Sequence, residues 1–169
     1  MRAHTAKFEP GSEQRQSGFS LIELLIVVAV ILIIAGIAIP NFIRSRMRAN
    51  EAAAVANLRD ISTAELIYNT TYSIGYSPDL PSLGGSTVSP DATHAALIDT
   101  VLCAGSKSGY SFTYAVVASD PQGHPIAYSV NADPISPGSS GDRHFYVDQT
   151  AIIRQNGSAA AVSTDAPIQ

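Results

Sequence analysis

The sequence predicts an α+β protein in which one long N-terminal helix packs on a small antiparallel β-meander head. Residues from Leu24 to Ile39 form an unbroken apolar run with no polar face, and together with residues 19–23 it is long enough to span a membrane as a helix. Beyond it, apolar residues recur at helical spacing from Ala54 to Tyr68, which predicts an amphipathic second half of the same helix. From Tyr110 the apolar period changes to two, as in half-buried strands.

The transmembrane and assembly half of the helix is predicted at residues 19–40. At 1.5 Å per residue, residues 19–39 would extend roughly 32 Å, which covers the hydrocarbon core of a bilayer. Pro40 has no N–H to bond the carbonyl of Gly36. We therefore expect either a static kink or an extensible stretch between Gly36 and Pro40.

The amphipathic half is predicted at residues 41–71. One apolar stripe follows it at steps of four, three, three and four residues: Ala54, Leu58, Ile61, Ala64 and Tyr68. Five polar residues are predicted to lie off this stripe: Glu51, Asn57, Arg59, Asp60 and Glu65. The helix should end near residues 69–71, where an Asn and two β-branched Thr weaken it. The stripe would then pack under the head.

The globular head is predicted at residues 72–154. Pro and Gly residues punctuate its first part, up to Gly109, and favour loops there. A short helix is expected from about Asp91 to Leu102, with Asp91 as its N-cap. Cys103 is the only cysteine, so no intrachain disulfide is possible. We expect this side chain to behave as a small buried apolar residue.

Four strands are predicted in the second part of the head. They are Tyr110 to Val116, Ile126 to Val130, His144 to Val147 and Ala151 to Arg154, with the last hairpin turning near Asp148-Gln149. Short connections between consecutive strands indicate an antiparallel meander. Residues 155–169 are rich in Gly, Ser, Ala and Pro, and we expect them to form a flexible tail.

Catalysis has little support in the sequence. It contains no G-x-S-x-G, H-E-x-x-H or C-x-x-C motif and no phosphate-binding glycine loop. His94, His124 and His144 are expected to be isolated surface histidines. We therefore predict no enzyme and no cofactor. A formal net charge of −4 also makes the single chain a poor candidate for nucleic-acid binding.

A metal site has only two candidate ligands, Asp142 and Asp148. They flank a short predicted strand, and two such carboxylates could share a Ca²⁺ with backbone carbonyls. The simpler interpretation is that one aspartate forms a turn and the other a hairpin. We predict no metal.

Residues 18–23 read G-F-S-L-I-E and place one carboxylate, Glu23, just inside the apolar segment. A charge there costs on the order of 3 kcal/mol at the bilayer centre, so it needs a partner. Cleavage after Gly18 would create an amine on Phe19, and a neighbouring copy of the chain could present it to Glu23. This pattern indicates a processed subunit of a polymer. The alternative is that Glu23 is a polar anchor near the membrane interface.

The N-terminal third of the chain resembles type IV pilins and the pseudopilins of type II secretion systems. In these proteins a basic leader ends in Gly, which matches residues 1–18 and Gly18. The mature chain begins with Phe, carries Glu at its fifth position and Pro at its twenty-second, which match Phe19, Glu23 and Pro40. The resemblance implies cleavage between Gly18 and Phe19 and N-methylation of Phe19 by a prepilin peptidase. It also implies assembly through the helix that contains Glu23, Gly36 and Pro40.

The resemblance further implies partners and a location. The partners would be other copies in a helical filament, the prepilin peptidase, an inner-membrane assembly platform with its ATPase motor, and the lipid bilayer before assembly. The subunit would be a single-pass protein of the bacterial inner membrane, with a cytoplasmic leader and a periplasmic head, and then part of an extracellular or periplasmic filament. Charge does not decide this orientation, because basic residues flank the span on both sides.

The leading interpretation is a structural subunit of a type IV pilus-like filament. One alternative is a type II secretion pseudopilin that acts in protein export. A second alternative, from a different class, is a single-span membrane protein whose head binds a ligand, and it predicts a monomer that tolerates Glu23→Ala.

Overall fold

The computed structural model describes residues 18–85 and 89–168, so the predicted leader lies outside the described residues except for Gly18. Within these described residues, three helices and five strands follow one another: α1 Leu21–Tyr72, α2 Leu80–Leu83, α3 Thr100–Cys103, β1 Ser106–Lys107, β2 Tyr110–Ser119, β3 Pro125–Pro134, β4 His144–Asp148 and β5 Arg154–Asn156. The long N-terminal helix and the antiparallel sheet confirm the predicted α+β class.

The chain divides into two compact units, one ending at Ile39 and the other running from Pro40 to Gln169. The first unit holds the apolar part of α1, which is long and apolar enough to cross a membrane, with a mean hydropathy of 3.2 over its most apolar window. Pro40 lies inside α1 and does not end it. The helix ends at Tyr72, one residue beyond the predicted end.

The apolar stripe of α1 lies in the core of the second unit, as predicted. Ala54, Leu58 and Ile61 are fully buried, and Ala64 and Tyr68 are 2% and 1% exposed. They pack with apolar residues of the sheet and of the loops before it. The expectation that five polar residues lie off the stripe is wrong for three of them, because at 100° per residue Glu51, Asn57 and Glu65 fall on or beside the helix face that carries the stripe. These three side chains are buried, and the other two, Arg59 and Asp60, are exposed.

The prediction of a helix from Asp91 to Leu102 is wrong, because the only helix that the structure has in this region is the four-residue α3. Its N-cap is Asp99, whose carboxylate accepts hydrogen bonds from the backbone of Val101 and Leu102. The reason lies in tertiary pairing, because the backbone N–H groups of residues 95–98 donate to carbonyls of residues 82–84 and not to one another. Asp91 instead closes a turn by accepting from the backbone of Thr93 and His94.

Cys103 is a free cysteine of intermediate burial, which corrects the expectation of a buried residue. It ends α3, and its Sγ lies 3.3 Å from the carbonyl oxygen of Thr100. The same sulfur packs against Gly84, where an added Cβ would come within 2.6 Å of it. Cys103 therefore packs at the edge of the core.

The five strands form one sheet in the order β1-β2-β3-β4-β5, and every neighbouring pair is antiparallel. This confirms the meander. Alternate residues of β3 are buried, namely Tyr128, Val130, Ala132 and Pro134. Opposite positions such as Val130 and Val147 place the apolar faces of β3 and β4 side by side. The strand period of two thus builds the face that covers the helix stripe.

The C-terminal region departs from the prediction. The strand expected at Ala151 to Arg154 is shifted, because β5 is Arg154–Asn156 and Ala151 has a left-handed φ of 58°. Residues 155–168 do not form a tail free of the head. The Asn131 amide donates to the carbonyl of Ala161 at 2.7 Å, and the side chain of Ala161 is 1% exposed.

This anchoring has a simple cause. β5 is the edge of the sheet, and an edge strand leaves backbone groups without partners. Gln155 donates its N–H to the carbonyl of Ala166, and Ile168 donates to the carbonyl of Ile153. The returning chain therefore satisfies groups that a free tail would leave to water.

Candidate functional site

Gly18 and Phe19 lie just before α1, at the junction where cleavage is predicted. A Cβ built on Gly18 would meet no atom within 4 Å. The side chain of Phe19 is 89% exposed. Among the residues that the structure describes, none therefore requires a glycine at position 18.

Ser20 and Glu23 form a capping box at the start of α1. The Glu23 carboxylate accepts a hydrogen bond from the backbone N–H of Ser20 at 2.9 Å, and the Ser20 hydroxyl accepts from the backbone N–H of Ile22 at 3.4 Å. Two N–H groups that the helix leaves unpaired are thus satisfied. This capping role was not predicted, although S-x-x-E at residues 20–23 is its signature.

The apolar part of α1 presents a continuous hydrophobic surface. Its large side chains are between 48% and 81% exposed in the single chain: Leu21, Ile22, Leu24, Leu25, Ile26, Val27, Val28, Val30, Ile31, Leu32, Ile33, Ile34, Ile37 and Ile39. Water-soluble monomers do not expose apolar patches of this extent, so the surface needs lipid or other protein as a partner. It therefore marks this part of the helix as a binding surface.

Gly36 and Pro40 lie farther along the same helix. Gly36 is thirteen residues after Glu23 in α1, a rise of roughly 20 Å. A Cβ on Gly36 would meet no atom within 4 Å, so packing inside the chain does not require this glycine. The structure therefore brings Gly18, Phe19 and Glu23 together at the start of α1 and leaves Gly36 and Pro40 apart from them.

Glu51 forms a second polar centre, at the base of the head. Its Oε1 accepts from the backbone N–H groups of Asp142 and Arg143 at 3.0 and 3.2 Å. Its Oε2 accepts from Nε of Arg143 at 2.9 Å, and Nη2 of the same guanidinium lies 2.8 Å from Oε2 in an ion pair. Burial by itself would raise the pKa of Glu51, but these hydrogen bonds together lower it below its usual value. Glu51 thus fastens α1 to the turn before β4.

Glu65 is a buried carboxyl in the middle of the head. It is fully buried and accepts from the backbone N–H of Ser77 at 2.9 Å and from the Ser77 hydroxyl. The Tyr114 hydroxyl donates to the Ser77 carbonyl at 2.8 Å and joins this network. Burial raises the pKa of Glu65, and the bonds from Ser77 offset only part of that effect. The network fixes the chain that leaves α1.

The two candidate metal ligands have separate local roles. Asp142 accepts from the backbone N–H of Gly138 at 3.0 Å, and Asp148 accepts from the N–H and the hydroxyl of Thr150. Among the described residues there is no group of three or more His, Cys, Asp or Glu side chains placed to hold a metal ion. Both aspartates therefore serve as turn residues here.

The three histidines outside the leader each lie beside an aspartate, which corrects the expectation that they are isolated. His144 Nδ1 lies 2.6 Å from Asp133 Oδ1, between β4 and β3. His124 pairs with Asp120 at 3.1 Å, and His94 lies 3.9 Å from Asp91. The three pairs sit in different turns and strands, so they do not form one site.

Known proteins match this chain at its N-terminal junction and over longer stretches. Residues 14–39 match the model of the prokaryotic N-terminal methylation motif. The type IV major pilin protein PilA of Myxococcus xanthus is 40% identical over 95 residues, which are 52% of this chain and 41% of that protein. The chain thus spans less than half the length of this relative.

Two other relatives are covered more fully. The type IV wide pilus major component PilA4 of Thermus thermophilus is 34% identical over 126 residues, which are 64% of this chain and 96% of that protein. A fimbrial protein of Pseudomonas aeruginosa is 31% identical over 118 residues, or 77% of its length. No solved structure matches the chain. Because these two relatives are more than 30% identical and are covered over more than two thirds of their length, the chain belongs to the type IV pilin family.

Proposed function

We propose that the chain is made as a precursor, is cleaved between Gly18 and Phe19, and polymerises through α1 into a type IV pilus-like filament. The observation that carries the proposal is the exposed apolar surface of α1 with a single carboxylate, Glu23, at its start. Lipid covers such a surface before assembly, and other copies of the same helix cover it in a filament core. The match to the methylation motif supports N-methylation of Phe19.

Glu23 would favour docking of each incoming subunit at one axial register. In the precursor its carboxylate caps its own helix through Ser20. Cleavage would add a positive amine on Phe19, and in an apolar surrounding a carboxylate without a cation is costly. We propose that the amine of Phe19 on an adjacent subunit pairs with Glu23. Gly36 and Pro40 would let α1 loosen as the subunit leaves the bilayer.

The remaining partners follow from this proposal. A prepilin peptidase would cut and methylate the chain, and an inner-membrane platform with an ATPase motor would extract it, because removing an apolar helix from lipid costs free energy. The subunit would sit in the inner membrane with its head in the periplasm before it enters an extracellular or periplasmic filament. Its work would be structural and not enzymatic.

Intact-mass measurement and N-terminal sequencing of sheared surface material and of membranes test the proposal. We expect a chain that begins at methylated Phe19 in sheared filaments. A processed chain confined to the membrane would favour a secretion pseudopilin, and an uncleaved chain would favour a single-span binding protein.

The role of Glu23 is tested with Glu23→Ala, which should remain in the membrane and yield no filaments. Asp60→Ala is the matched control, because Asp60 is an exposed acid on the same helix. Normal filament yield from Glu23→Ala would overturn the proposed pairing.

A further inference from the structure

Three arginines form a basic cluster just beyond the apolar span, at positions 44, 46 and 48. All three are exposed, and in the part of the chain that the structure describes none of them forms an ion pair. Beyond residue 50 the chain carries four basic and eleven acidic side chains. Positive charge is therefore concentrated in the first turns of α1 after Pro40.

The cluster opens onto two polar grooves at the base of the head. Arg44 and Arg48 line one groove of about 450 Å³ together with Met47, Glu51, Asp142 and Arg143. Glu51 is already satisfied by Arg143, so its charge is offset within the groove. Arg46 lines the other groove, together with Asn50 and the hydroxyl-bearing Ser136, Ser139 and Ser140. Guanidinium and hydroxyl groups are donors that suit phosphate and glycerol oxygens.

The position of the cluster along the chain restricts its partner. Arg44, Arg46 and Arg48 follow Ile39 by five to nine residues of continuous helix, which is roughly 8 to 14 Å at 1.5 Å per residue. Polar headgroups extend for several ångströms on either side of the hydrocarbon core. The cluster must therefore lie at or near the headgroups whenever residues 19–39 span a bilayer.

We propose that this cluster binds the phosphate groups of anionic phospholipids while the subunit is held in the membrane. The inference rests on the membrane-inserted stage of the proposed function and not on polymerisation. An acidic head next to an anionic bilayer is repelled, and arginines at the end that meets the bilayer offset that repulsion. Each arginine near an anionic surface contributes roughly fivefold in lipid affinity, which corresponds to about 1 kcal/mol.

The test uses the full chain in bilayers that contain phosphatidylcholine and phosphatidylglycerol. Electron paramagnetic resonance with spin-labelled lipids gives the relative association of each lipid with the protein. We expect a preference for phosphatidylglycerol of roughly fivefold or more, which falls to near one when Arg44, Arg46 and Arg48 are all changed to Gln. The preference of the unaltered chain should also disappear in about 1 M salt, where charges are screened within ~3 Å.

Arg59→Gln is the matched control, since Arg59 is an exposed arginine on the same helix outside the cluster. It should keep the full preference. Equal preference in the triple variant and the unaltered chain would overturn the inference. So would displacement of the labelled lipid by inorganic phosphate, which would indicate a site for the free ion.

Three further outcomes separate this inference from the proposed function. A chain that alkaline washing removes from the vesicles would overturn both. A triple variant that keeps its lipid preference but yields no filaments would show that the arginines contact a second copy of the chain. The chain could also show a lipid preference that depends on the arginines and yet never form filaments. That outcome would support this inference and would contradict only the proposed polymerisation.

Discussion

Glu51 should stabilise the head more than its partner Arg143 does, because it holds two backbone groups as well as the guanidinium. Glu51→Ala leaves the N–H groups of Asp142 and Arg143 without an acceptor, at about 1 kcal/mol each. The lost ion pair adds about 1 kcal/mol, a small value because the Arg143 side chain is 46% exposed. Glu51→Ala should therefore cost about 3 kcal/mol in free energy of unfolding, against about 1 kcal/mol for Arg143→Ala, which leaves both N–H bonds intact.

Near-ultraviolet circular dichroism in mild detergent measures this difference. All seven tyrosines lie between Tyr68 and Tyr146, and the chain has no tryptophan, so the signal reports on the head alone. We expect Glu51→Ala to lower the melting temperature by roughly 10 °C and Asp60→Ala, an exposed acid on the same helix, to leave it unchanged. Equal losses for Glu51→Ala and Arg143→Ala would refute the assignment of the larger share to the backbone bonds.

The lowered pKa of Glu51 also predicts a pH dependence, and two further substitutions have equally direct tests. The contribution of Glu51 should be complete above its unfolded pKa near 4.5 and should be lost as the pH falls through its lower folded value. Glu65 has the opposite sign: its folded pKa is raised, so its contribution is most favourable in acid and declines as the pH rises above about 4.5. Glu65→Gln should remove that decline from the variant's free energy of unfolding. The unfolding free energy of the wild type relative to the variant should therefore fall as the pH rises above about 4.5, and a difference that does not change with pH would contradict the burial argument. Gly75→Ala should destabilise the head by more than about 3 kcal/mol, because φ is 86° and the new Cβ would lie 2.2 Å from the Pro125 carbonyl oxygen. Gly123→Ala, with φ of 90° and no atom within 4 Å, should cost only about 1 kcal/mol, so similar thermal shifts for the two glycines would show that the clash relaxes.

Sequence reasoning succeeded where one local period dominates. The stripe from Ala54 to Tyr68 is buried as predicted, since side chains on one helix face share their surroundings whatever covers them. The antiparallel meander follows in the same way from short connections between strands. These features depend on neighbours that are close in the chain.

It failed where distant backbone groups compete with local preference. The residues after Asp91 contain good helix formers, yet their N–H groups bond to carbonyls of residues 82–84. The C-terminal residues were expected to be flexible, yet Ala161 is buried and held by Asn131. Composition indicates the secondary structure that an isolated segment would adopt. A long-range hydrogen bond that satisfies a buried backbone or side-chain group outweighs that local preference.

The sequence by itself determined the class of this protein, its apolar segment long enough to span a membrane, and the residues at its predicted processing junction. These features are an apolar run, an acidic residue at its start and a glycine before it. They can be recognised without knowing any contact with the rest of the chain. Only the tertiary structure decided which backbone groups and side chains Glu51 and Glu65 bind. A carboxylate looks the same in a sequence whether water or a turn ninety residues away covers it, and that cover sets its pKa and its contribution to stability.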